Sequence, residues 1–468
     1  MPNINLVQLN KFITTKTALE RISSLGNPVC LSGKWGASSE QFNYDILSAS
    51  PSAILTEQRG KLVISTPNKR PLSAHQDALE WLNSHLKETR VDYTVDSANL
   101  NTPALPFVFG FIGYASYDYS KQLERLPNNT IDDMELPDLC GGLYHWNLIN
   151  DNQNEISYLA FGPYCTEEQR TKALSALHSS CTKQQDFQLT ASFSSDTTKN
   201  NYHAAFNRVR GYIEEGDCYQ INLTHRHQAQ YHGESHLAFS HLKNKLNTPY
   251  SGYLEFIDHQ VISLSPEQFI SVDGNKIETK PIKGTIKRGA SDEDDKGLIS
   301  TLNKSKKDRA ENLMIVDLLR NDLNKSCTPG SVKVPKIFEV ETYPNVHHLV
   351  STITGEKTEQ TTSIDVFRQA FPGGSITGAP KIRAMEIIEQ LEKTRRGVYC
   401  GSIFYAGYDG NMDSNICIRT LLCKDSKIYC WGGGGIVADS NCEDEYQESI
   451  TKVKNLMDEL EKMSGLKW

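Results

Sequence analysis

Short apolar runs and amphipathic stretches succeed one another along this chain without a strict alternation. YSGYLEFI, HQVISLSP and KIYCWGGGGIV are brief, rich in β-branched and aromatic residues and bounded by turn formers, so they read as strands. Between them lie segments with apolar residues three and four apart. From Pro380 a helix is well signed: proline near the first turn, a stripe of Ala384, Met385, Ile388 and Leu391, and Gly397 after a basic last turn. In the C-terminal helix Tyr446, Ile450, Val453, Met457 and Leu460 form the stripe, and Ser440 with Glu443 fits a capping box. The segment KKDRAENLMIVDLLRNDL (306–323) predicts a third helix, with Leu313, Met314, Val316 and Leu318 as its buried side. This pattern predicts an α+β fold with a largely antiparallel sheet.

Upstream the pattern is weaker. PFVFGFIGYASYDYS (106–120) reads as β-rich and HQDALEWLNSHLKE (75–88) as helical. A polar stretch from Cys181 to Asn201 has no apolar period and reads as a connector, which suggests an N-terminal domain over 1–185 and a second domain over 197–468.

Composition narrows the function classes. With 468 residues and 38% hydrophobic content the chain can bury a large core. A formal net charge of -8 argues against a general nucleic-acid binder. The segment MPNINLVQLNKFITTKTALE lacks the features of a secretion signal, and no apolar run is long enough for a membrane helix, so a cytoplasmic protein is expected. Eleven cysteines without a C-x-x-C pair fit buried reduced thiols better than a disulfide framework or a zinc site.

Four acids stand out. Glu445 and Glu448 share a helix face with Lys452, away from the apolar stripe; Asp308 and Glu311 lie one turn apart on the 306–323 helix. Taken singly, each pair fits a solvated surface. Taken together, two helices each presenting two carboxylates supply the oxygen ligands that Mg²⁺ prefers, with water and an anionic substrate completing the shell. FPGGSITGAPK (371–381) and WGGGGIVADS (431–440) fail the phosphate-loop and dinucleotide patterns. Both can still offer backbone N–H groups to a carboxylate, and both fit equally well as tight turns. Lys283, between Pro281 and Gly284-Thr285, sits in a context that suggests a strand end at a constrained turn. There a lysine is usually solvated, and only burial would free its amine for attack.

The series GDCYQINLTHR, SLSPEQF, ETKPIKGT, DRAENLMIVDLLRNDL, YPNVHHLVST, FPGGSITGAPKIRAMEII, GSIFYAGYDGNMDSNICIRT and GGGGIVADSNCEDEYQES resembles the chorismate-utilising enzymes. That family includes the large subunits of anthranilate and aminodeoxychorismate synthases and the isochorismate and salicylate synthases. The resemblance covers nearly all of residues 202–460; before that it rests on size and GFIGYASYDYS. It implies a sandwich of large antiparallel β-sheets with helices outside.

Residue by residue, the resemblance implies Glu267 as general acid toward a leaving hydroxyl and His348 as a catalytic-site histidine. Glu311 and Glu448 match ligands of Mg²⁺, with Asp308 and Glu445 supporting them. Tyr399, Arg419, Gly433, Gly434 and Lys452 match residues that hold the substrate, with Thr285 and Thr377 lining its pocket. Lys283, in P-I-x-G-T, matches the nucleophile characteristic of aminodeoxychorismate synthases, where anthranilate synthases carry alanine. Gln220 stands where the water-activating enzymes carry lysine, which favours ammonia as the incoming group. The resemblance thus implies amination of chorismate on the way to p-aminobenzoate and folate, with anthranilate formation as the alternative. It also implies a glutamine amidotransferase partner in a heterodimer, since no amidotransferase segment appears in the chain. YDILSASP (44–51) corresponds to a region where some relatives bind tryptophan, but it departs from the pattern of the inhibited enzymes, so feedback inhibition is not expected.

Overall fold

The computed structural model describes residues 3–36, 43–67, 69–74, 76–96, 105–106, 109–179 and 185–466. Among them two large sheets are laid face to face, of 14 and 12 strands, antiparallel in nearly every pairing. Alternation along the strands explains the layering. In Val29–Gly33, Val29 and Leu31 join the core between the sheets, while Cys30 joins the core under the outer helices. In His259–Ser265, Val261 points inward, and Ile262 and Leu264 point outward. Both faces are covered, so these strands read as unbroken apolar runs. Close approach between the sheets shows at Gly252, where a Cβ would lie 3.0 Å from Ile403 Cδ1.

Strands from both sides of the connector build both sheets. Val29–Gly33 pairs with Tyr250–Glu255 in the larger sheet, and Gly110–Ala115 pairs with Ser402–Gly407 in the smaller. The connector's first residues, Cys181 to Gln184, lie outside the described residues; its remainder contributes two short edge strands, Gln188–Leu189 and Ser194–Ser195, along Gln220–His232. YDILSASP forms the buried strand Tyr44–Ser48.

The α+β expectation and the sandwich hold, with three local corrections. Helix Lys306–Asn324 buries Asn312, Ile315, Val316, Leu319 and Leu323, whereas Leu313 is 46% exposed. A buried polar residue shifted the true stripe by one position: Asn312 Oδ1 accepts from Ser351 Oγ at 2.5 Å, which satisfies its oxygen, while its Nδ2 is buried without a partner. Helix Cys442–Met463 is capped by Asn441, which accepts from the N–H groups of Glu443 and Asp444, while Ser440 instead donates to Glu445. Helix Lys381–Leu391 stops six residues before Gly397, and the basic residues read as its last turn form a loop that buries Arg396. The described cysteines are free thiols, and Cys181 lies outside the described residues. Among the described residues no helix is long and apolar enough to cross a membrane.

Candidate active site

A bulge aims Lys283. Strands Ile282–Lys287 and Val346–Glu356 run antiparallel, but the register slips between the pairs Ile282–Val350 and Thr285–His348, leaving one extra residue on the lysine's strand. Gly284 supplies the required backbone at φ +78°, and a Cβ there would come within 2.9 Å of Asp308 Cγ and 3.0 Å of Leu302 Cδ1. The bulge therefore seats the first turn of helix Lys306–Asn324 directly against the strand. Lys283 is not solvated: its side chain is 14% exposed and Nζ lies 3.9 Å from Glu311 Oε2, beyond hydrogen-bonding range. Burial lowers its pKa; the charges of Glu311, Glu267 and Glu448 oppose that shift and Lys452 reinforces it.

Glu267 occupies the short link between His259–Ser265 and Gln268–Asp273. Its N–H donates to Ser265 Oγ (3.1 Å) and its carbonyl accepts from the Ile416 N–H (3.1 Å), which fixes the backbone. Burial pushes its carboxyl up to about 7, against the pull of Ser375, Lys283, the Ile282 N–H and Lys452. A fully buried acid that keeps much of its proton near neutrality thus shares a pocket with an amine whose charge is disfavoured. Such opposed environments mark out acid and nucleophile.

The four acids converge from two helices. Glu445 is buried and accepts from Ser440 Oγ (2.7 Å); Glu448 is half-exposed and pairs with Lys452 at 2.9 Å. The Ser305 side chain caps the other helix by accepting from the Asp308 N–H. Lys307 spans the gap, 3.4 Å from Glu445 Oε1 and 3.9 Å from Glu311 Oε1. As the side chains stand, no group of three or more His, Cys, Asp or Glu among the described residues is gathered tightly enough to hold a metal. The donor set is nevertheless all oxygen. Burial raises the Glu311 pKa and, although Lys283 and Lys307 lower it, Asp308 and Glu445 raise it further. Repulsion among acids around a single bridging ammonium is an electrostatic setting that suits a hard divalent cation.

Near His348 lies a cationic group. Arg419, at φ +51°, has its pKa lowered by burial alone, and no ion pair or hydrogen bond satisfies its guanidinium among the described residues. An unpaired, partly buried guanidinium beside a strained backbone is poised for an anion. His348 Nδ1 lies 2.8 Å from Thr285 Oγ1; burial, then the nearby Arg419 and His347, lower its pKa to about 3, so the ring is neutral. Strand Lys427–Ile436 carries Gly433 and Gly434. Lys452 Nζ donates to the Gly433 carbonyl at 3.1 Å, and a Cβ on Gly434 would stand 3.1 Å from Glu445 Oε2. Glycine here lets helix Cys442–Met463 lie against the strand. Tyr399 is buried and stacks on Trp431, ring centroids 5.9 Å apart. Thr377 turns its hydroxyl to the carbonyls of Gly373 and Gly374, so it holds the loop that carries Ser375.

Two residues of this cluster escaped the sequence reading. Ser375 was hidden inside a glycine-rich motif weighed only for its backbone. Lys307 had a readable signal, since it lies four residues before Glu311 on the same helix face.

Against known proteins, the profile for chorismate binding enzymes matches residues 40–458. The chain is 43% identical over 420 residues to aminodeoxychorismate synthase component 1 of Escherichia coli, covering 90% of each chain. It is 42% identical over 418 residues to the protein of that name from Salmonella typhimurium, covering 89% of this chain and 90% of the relative. Anthranilate synthase component 1 of Aquifex aeolicus is 36% identical over 366 residues, covering 75% of this chain and 74% of the relative. Among solved structures, anthranilate synthase component I from Streptococcus pneumoniae superposes with a TM-score of 0.77 at 28% identity, covering 90% of this chain and 93% of that one. With these matches, the chain belongs to the family of chorismate binding enzymes.

Proposed function

We propose that this chain is the chorismate-aminating component of an aminodeoxychorismate synthase, working with ammonia from a partner glutamine amidotransferase. The observation that carries the reading is the placement of Lys283: a buried amine held out of hydrogen-bonding contact, facing a pocket with the proton-rich Glu267 on one side and the unpaired Arg419 in its wall. An anthranilate-forming enzyme needs no amine there.

The chemistry follows from the charges. Chorismate is a dianion whose ring hydroxyl is a poor leaving group. Arg419 takes one carboxylate, and the Gly433–Gly434 backbone with Lys452 borders the same space. Glu311 and Glu448, supported by Asp308 and Glu445, would hold Mg²⁺, which when bound neutralises carboxylate charge. Lys283 attacks ring carbon 2; the two ring double bonds shift, and the carbon 4 hydroxyl leaves as water with the proton of Glu267. Ammonia then adds at carbon 4, the double bonds shift back, and the lysine leaves carbon 2 as the free amine. The enolpyruvyl ether is untouched, so the net change is hydroxyl for amine with release of water.

The test is direct. Purified chain, chorismate, an ammonium salt and Mg²⁺ should yield aminodeoxychorismate, with EDTA stopping the reaction. A fluorescent product accompanied by pyruvate would instead identify anthranilate synthesis. Without ammonia, mass spectrometry should find a chorismate-derived adduct on Lys283, and an adduct elsewhere would defeat the covalent scheme.

A further inference from the structure

Arg396 belongs to none of the groups assigned to chorismate or metal, yet it is among the largest fully buried side chains, at 2% exposure. Arginine is rarely buried unless it is paired. Here two edges of the guanidinium are used. One meets Glu392, four residues earlier, with Nε donating to Oε2 at 2.8 Å and Nη2 to Oε1 at 2.7 Å. The other holds two carbonyls: Nη1 donates to Ile376 at 2.9 Å and Nη2 to Asn222 at 2.6 Å. The Tyr117 ring covers the plane, its centroid 4.6 Å from the guanidinium carbon. A planar fork spans a carboxylate and two carbonyls at once; the single nitrogen of a lysine does not.

Both carbonyls lie next to the acid. Ile376 follows Ser375 in the turn Gly374–Ile376, and the Ser375 hydroxyl donates to the Glu267 carboxyl. Asn222 lies on strand Gln220–His232, and its N–H donates to the Thr377 carbonyl at 2.8 Å. Asn222 therefore holds the turn through its N–H and is held by Arg396 through its carbonyl. Glu392 secures the same strand two residues on, accepting from the Thr224 N–H (3.0 Å) and hydroxyl (2.8 Å). This edge pairs with Gly378–Ala379 at Gln220 and Ile221 and with Ser194–Ser195 at His227 and Gln228. Between those pairings the Glu392–Arg396 ion pair takes the place of a neighbouring strand.

The arginine is itself anchored from the far side. The Gly397 N–H donates to Asp118 Oδ2 at 2.9 Å, the Tyr117 N–H donates to the Gly397 carbonyl at 2.8 Å, and Arg395 pairs with Asp132 at 3.2 Å. An anchored guanidinium sets the place of the turn rather than following it. The bonds of the Thr377 hydroxyl to Gly373 and Gly374 close the turn within itself and do not place it against Glu267.

We infer that Arg396 is a positioning residue for the acid: by holding the Ile376 and Asn222 carbonyls it keeps the Ser375 hydroxyl on Glu267 and so aims the carboxyl at the leaving hydroxyl. Glu267 has its backbone fixed by Ser265 and Ile416, but the direction of its carboxyl depends on the donors that meet it, the Ser375 hydroxyl and the Ile282 N–H. Lys283 and Lys452 are the charged groups facing it. A donor to a carboxylate favours the ionised form, so a turn that drifts away leaves Glu267 both misdirected and a weaker acid.

The inference rests on the proposed amination, and the experiment separates the two. Arg396→Lys keeps a cation opposite Glu392 and loses the fork. With chorismate, ammonium chloride and Mg²⁺, its turnover should fall about tenfold or more while the KM for chorismate changes by about threefold at most. The falling limb of the rate per free ammonia, set by Glu267 at about 7 in the wild type, should move to higher pH. Ser375→Ala leaves the fork intact and should move the limb the same way; adding Arg396→Lys to it should move the limb no further. A limb that stays in place in Arg396→Lys, or that Arg396→Lys moves equally with and without the Ser375 hydroxyl, overturns the inference and leaves Arg396 a structural brace. If Arg396→Lys does not fold, Glu392→Gln, which removes one of the two acceptors facing the fork, tests the same limb alone and with Ser375→Ala. Wild-type protein that makes anthranilate from ammonia would remove the proposed product and leave the limb to be read from chorismate consumption; wild-type protein that consumes no chorismate with ammonia would overturn both.

Discussion

Two buried lysines in this molecule meet acids in different ways. Lys243, on helix Ser235–Leu246, touches Asp45 directly, Nζ to Oδ2 at 2.5 Å, and also bonds Thr15. Asp45 is fully buried on strand Tyr44–Ser48 and takes further hydrogen bonds from Ser32 and Thr15, so both charges are consumed by structure. Lys283 is also surrounded by acids but stops 3.9 Å short of the nearest, on a strand whose bulge holds it there. Burial therefore acts on Lys283 without a hydrogen bond to compensate, and its pKa falls. A lysine in the core becomes a reagent when the backbone withholds its partner, and a brace when a partner is supplied.

The sharpest way to break this contrast is to remove each amine. Lys283→Ala should lower amination by at least about 10⁴-fold, the scale of loss when a covalent nucleophile is deleted, while thermal unfolding shifts little. Glu267→Gln keeps the shape and removes the proton, and should cost about 10²–10⁴-fold in turnover. Because the folded Glu267 carboxyl is raised to about 7, the wild-type rate per free ammonia should fall as pH rises through about 7, and this limb should vanish in the glutamine variant. A pH profile identical in both would remove Glu267 from the role of acid. Lys243→Met should do the reverse of Lys283→Ala: turnover of the folded protein within about twofold of wild type, but stability lower by about 3–5 kcal/mol in urea unfolding, since Asp45 is left buried without its counter-charge. Loss of activity without loss of stability in that variant would erase the distinction.

How much of this was readable beforehand depends on what each feature needs. The strands and helices carrying the site were legible because their period is local, as in HQVISLSP and the helix from Pro380. The stripe of helix Lys306–Asn324 was misplaced at Leu313 because Asn312 is buried through a bond to Ser351, 39 positions away in the chain. Candidate residues were legible only as types and spacings: Asp308 with Glu311, and Glu445 with Glu448, fitted surface acids equally well. What turned them into one cluster was the docking of two helices far apart in sequence, and Lys307 between them became visible only then. The burial of Lys283 was likewise not local. It follows from a bulge that exists only in the pairing with Val346–Glu356.

That bulge supports the smallest and most specific prediction. At Gly284 an alanine meets two obstacles at once: a positive φ that side chains avoid, and Asp308 and Leu302 at about contact-breaking distance. A non-glycine residue at such a φ costs about 1–3 kcal/mol, and the added methyl must push either the strand or the start of helix Lys306–Asn324 aside. Either movement changes the gap between Lys283 and Glu311 without altering any catalytic group. Displacement of a reacting group by about 1 Å can cost about 10²-fold, so Gly284→Ala should lower turnover by about 10–100-fold. If the gap is what matters, the variant should also move the Lys283 pKa, read from the pH dependence of its modification by an amine-selective reagent. A variant with impaired turnover but an unmoved lysine titration would show that the bulge serves the helix rather than the amine, and the contrast with Lys243 would then rest on burial alone.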